Sequence, residues 1–220
     1  MIDGVRMGRL APPMTAQANQ PSLDAPSSEW LVYADALQEA RDPRGELIVL
    51  NHAVESGKTP AAERDAYVAK HAEALLGKGA NAESYRLGWK HCFIDSADVL
   101  LHPEDFAEKV IATLFSSPAA ANIRSVSLVG VPKGETRVDL SKAMEVLASN
   151  LPKTCKSVAF VDDRAAKTTM LASRDFDPDQ NLVQLGDLAP FFANPNIESI
   201  ELTVADIEQV GLGNINAPNL

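Results

Sequence analysis

The stretch Arg124-Ser-Val-Ser-Leu128 recurs twice further along the chain, as Lys156-Ser-Val-Ala-Phe160 and as Glu198-Ser-Ile-Glu-Leu202. Each copy places a charged residue and a serine before a β-branched residue, and each ends on a large apolar one. Each also follows a short helix-like stretch that ends in a proline. Segments that recur in this way are typical of repeat proteins, whose units bury their apolar faces only by stacking on one another. The pattern therefore predicts an α/β fold with a mainly parallel sheet.

Three helix-then-strand units account for most of the C-terminal region. Helices predicted over 103–115, 140–151 and 185–192 lead to strands predicted over 123–130, 156–162 and 197–204. The positions that we take as equivalent, separated by 32, 32 and 42 residues, are Ile94, Val126, Val158 and Ile200. The longer last spacing contains the polar stretch 164–180, which we expect to be an inserted loop. The strand side chains expected to point into a shared core are Val126 and Leu128, Val158 and Phe160, and Ile200 and Leu202.

The N-terminal part is predicted to contain an arm and a helical domain. Residues 1–28 contain prolines with scattered alanine, glutamine and serine but no periodic apolar face, so we expect a flexible arm. Apolar residues at helical spacing predict three helices within 29–88, the third of them over 61–76. A strand predicted over Trp89–Ala97 leads into the repeat region, which we place at 89–220.

Two stretches of the N-terminal region carry a family resemblance: Trp30-Leu-Val-Tyr-Ala-Asp-Ala-Leu37 and Asp42-Pro-Arg-Gly-Glu-Leu-Ile48. They resemble the bacterial repeat-companion domain, a short module of myxobacteria and planctomycetes that often precedes leucine-rich-repeat-like segments. The similarity covers about residues 28–97, and it departs from the family pattern at Ala36, where a tryptophan is usual. The resemblance implies a bacterial cytoplasmic protein in which a helical cap precedes a short leucine-rich-repeat-like α/β solenoid. It implies no known enzymatic activity.

The residues of this motif admit a catalytic and a structural interpretation. The set comprises Trp30, Tyr33, Asp35, Asp42, Pro43, Arg44, Gly45 and Glu46. As catalysis, the carboxylates would form an acid–base group oriented by the arginine. As structure, Asp42 caps the second helix, with Pro43 at its first position. Arg44 then reaches back to Asp35 across the helical hairpin, and Gly45 permits close helix approach. We favour the structural interpretation.

Other kinds of chemistry have weak support in the sequence. The four histidines are scattered, and His91-Cys92 with His102 does not have the spacing of a metal site. There is no phosphate-binding loop, dinucleotide fingerprint or serine nucleophile elbow. We therefore expect no cofactor, no metal and no enzymatic activity. Cys92 and Cys155 are too few for a disulfide framework and are consistent with a reducing cytoplasm.

The charge of the chain narrows the class of partner. The formal net charge is −10, and from Ser173 onwards one arginine stands against eight acidic residues. A phosphate backbone would be repelled by such a region, so nucleic acid is a poor candidate. No apolar run approaches the roughly 18 residues that a membrane helix needs. With nucleic acid and membrane set aside, we expect the partner to be another protein.

The open face of the predicted sheet is the expected binding surface. Its candidate contact residues are Arg124, Ser127, Val129, Lys156, Ala159, Val161, Glu201 and Thr203. Small and mixed polar side chains on such a face suit a broad protein contact, so the predicted function is a non-catalytic protein–protein interaction module or scaffold. The alternative is a regulatory or accessory subunit of a bacterial defence, signalling or proteolytic system, recognised through its N-terminal arm. An exposed last strand could also pair with a second copy to form a homo-oligomer.

Overall fold

An open five-stranded sheet and seven α-helices dominate the part of the chain that the computed structural model describes, residues 20–133, 136–163 and 183–203. The helices are α1 (Ser27–Glu39), α2 (Pro43–Glu55), α3 (Ala61–Lys70), α4 (Ala72–Leu76), α5 (Ala107–Ser116), α6 (Ser141–Asn150) and α7 (Ala189–Phe192). The strands are β1 (Tyr85–Lys90), β2 (Phe93–Leu101), β3 (Ser125–Gly130), β4 (Val138–Asp139), β5 (Ser157–Asp162), β6 (Val183–Gln184) and β7 (Ser199–Thr203). The predicted α/β class is confirmed.

The five main strands lie in the order β1-β2-β3-β5-β7. The pair β1–β2 is antiparallel and the three other pairs are parallel, which confirms the mainly parallel sheet. Val126 lies opposite Val158, and Val158 lies opposite Ile200, so the three quoted segments occupy equivalent positions. The short strands β4 and β6 pair with each other outside this sheet. The predicted inserted loop at 164–180 lies outside the described residues.

The strand β2 contains a fourth copy of the repeated segment, which the sequence analysis placed incorrectly. Ala97, not Ile94, lies opposite Val126. The copy is therefore Asp95-Ser-Ala-Asp-Val99, three residues later than expected. Ile94 corresponds instead to the buried residue that precedes each of the other copies by one position, such as Ile123, and both isoleucines are fully buried.

A tight turn explains this error, because Trp89–Ala97 is not one strand. His91 and Cys92 connect β1 to β2, and His91 adopts the left-handed backbone conformation with φ of 59°. Gly88 pairs with Ser96 whereas the next residue pairs with Ile94, so Asp95 is an extra residue on β2 and forms a bulge. The domain boundary predicted between residues 88 and 89 falls inside β1.

The inner face of the sheet forms the core with the helices. Val126, Leu128, Val158 and Phe160 have no exposed surface, and the ring of Phe160 lies 5.1 Å from that of Phe191 in α7. The equivalent residues of β7, Ile200 and Leu202, are half-buried and pack against the same core. They keep more exposure because β7 is the last strand of the sheet in the described part of the chain.

Three helix predictions need correction. The helix expected over 185–192 begins at Ala189. The helix expected over 61–76 is two helices, since the chain leaves helical geometry at His71 between α3 and α4. The helix expected from residue 103 begins at Ala107, because residues 102–105 form a turn in which the Asp105 carboxylate accepts from the His102 N–H at 2.7 Å. Phe106, which lies inside the predicted helix, precedes α5 and is 72% exposed.

Single polar contacts connect the N-terminal helices to the sheet. Asn51 of α2, only 1% exposed, donates from Nδ2 to the backbone oxygen of His91 at 3.3 Å. Its Oδ1 accepts from Arg64 of α3 at 3.3 Å. The hydroxyl of Ser117 donates to the Leu75 carbonyl at 3.0 Å, which joins α4 to the turn before β3. These bonds satisfy buried polar groups and hold α2 against the β1–β2 turn, α3 against α2, and α4 against the turn before β3.

Candidate interaction surface

The outer face of the sheet presents a row of serines. Side chains alternate between the two faces of a strand, so the neighbours of the buried residues point outward. The strand register places Ser96, Ser125, Ser157 and Ser199 side by side on four adjacent strands. The first three are half-buried and Ser199 is exposed. Their hydroxyl groups form no hydrogen bond with another described residue, which leaves four donor–acceptor groups in one line.

Two further rows of the outer face include six of the eight predicted contact residues. One row contains Ser127, Ala159 and Glu201, and the other contains Val129, Val161 and Thr203. Ser127, Val161 and Thr203 are half-buried and Glu201 is exposed. Val129 and Ala159 are buried, at 5% and 9% exposure, so they offer little surface to a partner.

The two remaining predicted contact residues, Arg124 and Lys156, already have intramolecular partners. Arg124 binds Asp95 through two bonds, Nε to Oδ1 at 2.5 Å and Nη2 to Oδ2 at 2.8 Å. Lys156 Nζ lies 2.8 Å from Glu198 Oε1. Both ion pairs connect neighbouring strands near the ends at which β3, β5 and β7 begin, but surface pairs of this kind contribute little to stability. A partner that bound either cation would compete with these carboxylates.

The motif at the start of α2 has a structural role in the folded chain. The Asp42 carboxylate accepts from the Arg44 N–H at 2.9 Å and so caps α2, and Pro43 occupies the first helical turn, as predicted. Arg44 pairs with Asp42, with Nη2 and Oδ2 2.6 Å apart, and not with Asp35, which is exposed. Burial raises the pKa of Asp42, but the hydrogen bonds and charge of Arg44 outweigh burial and lower that pKa below its ordinary value. The adjacent Glu46 accepts from Gln38 of α1 at 2.8 Å.

The aromatic residues of the motif lie in the core. Trp30 is 1% exposed and its ring stacks on that of His91 at 4.2 Å. Tyr33 is 4% exposed, and its ring meets Trp30 edge to face at 5.8 Å. Gly45 permits the close packing of α1 on α2 that the sequence predicted, because a Cβ there would lie 2.7 Å from the Ala34 carbonyl. This geometry suits a folding element better than a catalytic centre.

Both cysteines are buried and unpaired in the structure. Burial raises the pKa of Cys92 to about 12 and that of Cys155 to about 11. At neutral pH both are therefore protonated thiols, which are poor nucleophiles and poor metal ligands. Within residues 20–133, 136–163 and 183–203, no three histidine, cysteine or acidic side chains are grouped as a metal site requires.

A groove beside β1 is a site that the sequence analysis missed. It has a volume of about 540 Å³ and lies between α3, the turn at 82–84 and the first two strands. The residues that line it are Asp65, Val68, Ala69, Ala82, Glu83, Tyr85, Arg86, Leu87, Gly88, Trp89, Ser96 and Asp98. The alternation of apolar and other residues in Tyr85-Arg-Leu-Gly-Trp89 was the available signal for a strand here. The neighbouring helix is a tertiary feature that this pattern does not contain.

Comparison of the chain with protein-family profiles, with curated proteins and with solved structures finds no match. The resemblance to the repeat-companion domain therefore stays a prediction. Among the described helices, the longest of which have 13 residues, none has both the length and the apolar character needed to cross a membrane.

Proposed function

We propose that the protein is a non-catalytic interaction module that binds another protein through the outer face of its sheet. The observation that carries the proposal is the row of four serines at equivalent positions on adjacent strands. Their side chains are short, and their hydroxyl groups have no hydrogen-bond partner among the described residues. A row of this kind supplies hydrogen bonds without the entropic cost of ordering long side chains.

The proposal extends to the architecture. We propose that the four strand segments are units of a short leucine-rich-repeat-like solenoid and that α1–α4 form its repeat-companion cap. The equal register of the four copies supports the first part, and the Asp42 cap with the glycine contact at Gly45 supports the second. A bacterial cytoplasmic location belongs to the same proposal and is consistent with two unpaired cysteines.

A pair of matched substitutions tests the sheet face. Ser127→Arg places a long cation in the middle of the outer face, whereas Ser149→Arg makes the same change on the exposed side of α6. Partners captured by the wild-type chain from its host are identified by mass spectrometry and then titrated, as purified proteins, against both variants. We expect Ser127→Arg to weaken binding at least about tenfold, which corresponds to about 1.4 kcal/mol. Ser149→Arg should bind as the wild type does.

The alternative function depends on the N-terminal arm. Residues 1–19 lie outside the described part of the chain, so recognition through the arm stays a prediction. The same titration separates the two functions when a chain without residues 1–26 is included. Loss of binding on this deletion, with Ser127→Arg binding normally, would replace the sheet face by the arm as the recognised element.

A further inference from the structure

The strand β1 has an edge that no described strand covers. It is the first strand in the sheet order, and its hydrogen-bonded neighbour β2 lies on one side alone. On the other side its backbone N–H and C=O groups project outward at alternate residues, as they do in every edge strand. Such an edge can accept an extended peptide as one more strand, with backbone hydrogen bonds supplying affinity.

The groove described above follows this edge and adds a surface for side chains. Val68 of α3 and Tyr85 and Trp89 of β1 are 5%, 8% and 7% exposed, so they form an apolar base. Ala69, exposed on α3, forms part of the opposite wall. The volume of about 540 Å³ is in the range of pockets that enclose several side chains. An apolar groove with an edge strand on one side and a helix on the other has the elements that peptide addition requires.

The charged residues around the groove indicate the chemistry of the peptide. Three carboxylates line it, from Asp65, Glu83 and Asp98, against one guanidinium, from Arg86. Asp65 is paired with Arg64 at 2.8 Å, whereas Glu83 and Asp98 form no ion pair with a described residue. Arg86 lies opposite Asp98 in the β1–β2 register and offsets that carboxylate, so Glu83, in a chain with a net charge of −10, is the group that favours a cation on the incoming segment.

We propose that the groove binds an extended segment of another protein as an additional strand on β1. An apolar side chain of this segment packs between Val68 and Trp89, and a neighbouring lysine or arginine lies beside Glu83. This site is at the edge of the sheet, and of the four serines in the row on the outer face it includes Ser96 alone. Strand addition on β1 goes beyond the proposed function and does not require a partner on the rest of the row.

The test uses a capped, fluorescein-labelled nine-residue peptide in which valine alternates with threonine and lysine. A second peptide has the same side chains but carries N-methyl groups along one edge, which removes the donors for strand addition. We expect saturable binding of the first peptide to the full-length protein, with amide chemical-shift changes and slower hydrogen exchange in residues 85–90. The N-methylated peptide should bind at least about tenfold more weakly.

Two matched pairs of variants locate the site. Ala69→Arg fills the groove and repels a cationic peptide, whereas Ala66→Arg adds the same side chain to an exposed position of α3 that does not line it. Glu83→Gln removes one wall carboxylate, and Glu63→Gln is its exposed control on α3. We expect a loss of at least about tenfold for Ala69→Arg and a smaller loss, reduced further by salt, for Glu83→Gln. The two controls should bind as the wild type does.

Several results would overturn the proposal. Equal binding of both peptides, or equal losses for Ala69→Arg and Ala66→Arg, would exclude strand addition in this groove. Binding that appears only when residues 1–19 are removed would make the chain's own N-terminal segment the occupant. Self-association that Ala69→Arg abolishes would make a second copy the occupant. Ser157→Arg, in the serine row on a strand that does not line the groove, should leave peptide binding unchanged, so failure of this site and failure of the sheet-face function are distinguishable.

Discussion

The helical region α1–α4 and the strand–helix units that follow it are stabilised in different ways. In the helical region, single residues make contacts that occur once, such as the bonds of Asn51 to the β1–β2 turn and to α3. In the units, one register repeats across four strands, and each strand adds the same kind of apolar residue to the core. The stability of the first region should therefore depend on particular side chains. The stability of the second should depend on the volume and spacing of its apolar residues.

The largest effect should come from removing a large side chain from the repeated core. Phe160→Ala should lower the free energy of unfolding by about 3–5 kcal/mol, because it deletes a fully buried ring that packs on Phe191. The same change at Phe106, which is 72% exposed, should stay within about 0.5 kcal/mol. Urea unfolding of the two variants measures both. Similar losses of unfolding free energy at the two positions would contradict the comparison, because the stability of the units would then not depend on the volume of their buried side chains.

In the helical region, adding one methyl group at Gly45 should lower the free energy of unfolding by a smaller amount. Gly45→Ala should cost about 1–3 kcal/mol, because its Cβ would lie 2.7 Å from the Ala34 carbonyl, a backbone atom, and α1 and α2 would have to separate. Alanine has the higher helix propensity, so a helix without this contact would gain about 1 kcal/mol from the change. The sign of the change in the free energy of unfolding, measured with urea, therefore decides whether close contact between α1 and α2 is required.

The corrected ion pair provides a sharper test of the same region. Asp42→Ala should cost about 0.5–2 kcal/mol, because it removes the cap of α2 and the partner of Arg44. Asp35→Ala, at the exposed position that was first expected to pair with Arg44, should change the free energy of unfolding by less than about 0.5 kcal/mol. If Asp35→Ala were the more costly substitution, Arg44 would bind Asp35 in solution.

The smallest effect is a dependence on pH at the β1–β2 turn. Burial lowers the pKa of His91, so the fold favours the neutral imidazole that stacks on Trp30. This stabilisation is complete above the ordinary value of about 6.5 and is lost as the pH falls through the lower folded-state pKa. Urea unfolding between pH 8 and pH 5 should therefore show a shallower loss for His91→Asn, which tolerates the left-handed backbone at this position. An unchanged pH dependence would contradict the assignment.

The same contrast explains what the sequence could predict. The register of Val126, Val158 and Ile200 followed from the repeated pattern, because each copy has the same apolar spacing. The fourth copy was misplaced because its inward residue is Ala97, a weak apolar signal, and because the bulge at Asp95 shifts its pairing with β1. When several segments share a pattern, their register can be predicted even if one of them departs from it locally. The register of a single atypical segment cannot be predicted in this way.

Contacts that occur once were harder to predict. The cap at Asp42 follows from local rules about helix ends, and these residues were assigned correctly. The choice of Arg44 between Asp42 and Asp35 depends on side-chain geometry that spacing does not determine. The groove beside β1 depends on the position of α3 next to an edge strand. Its outline therefore emerges only when Val68 and Trp89 are brought together by the fold.

The antiparallel pairing of β1 sets a direction for growth of this sheet. On one side β2 meets a strand of opposite direction, and on the other it meets β3 in the same direction. A tandem duplication of one strand–helix unit, such as residues 125–156, could be inserted beside β3 and keep each new strand pair parallel. The same duplication placed before β2 would separate it from its hairpin partner. The sheet can therefore be lengthened on the side of β3 without disturbing the β1–β2 hairpin.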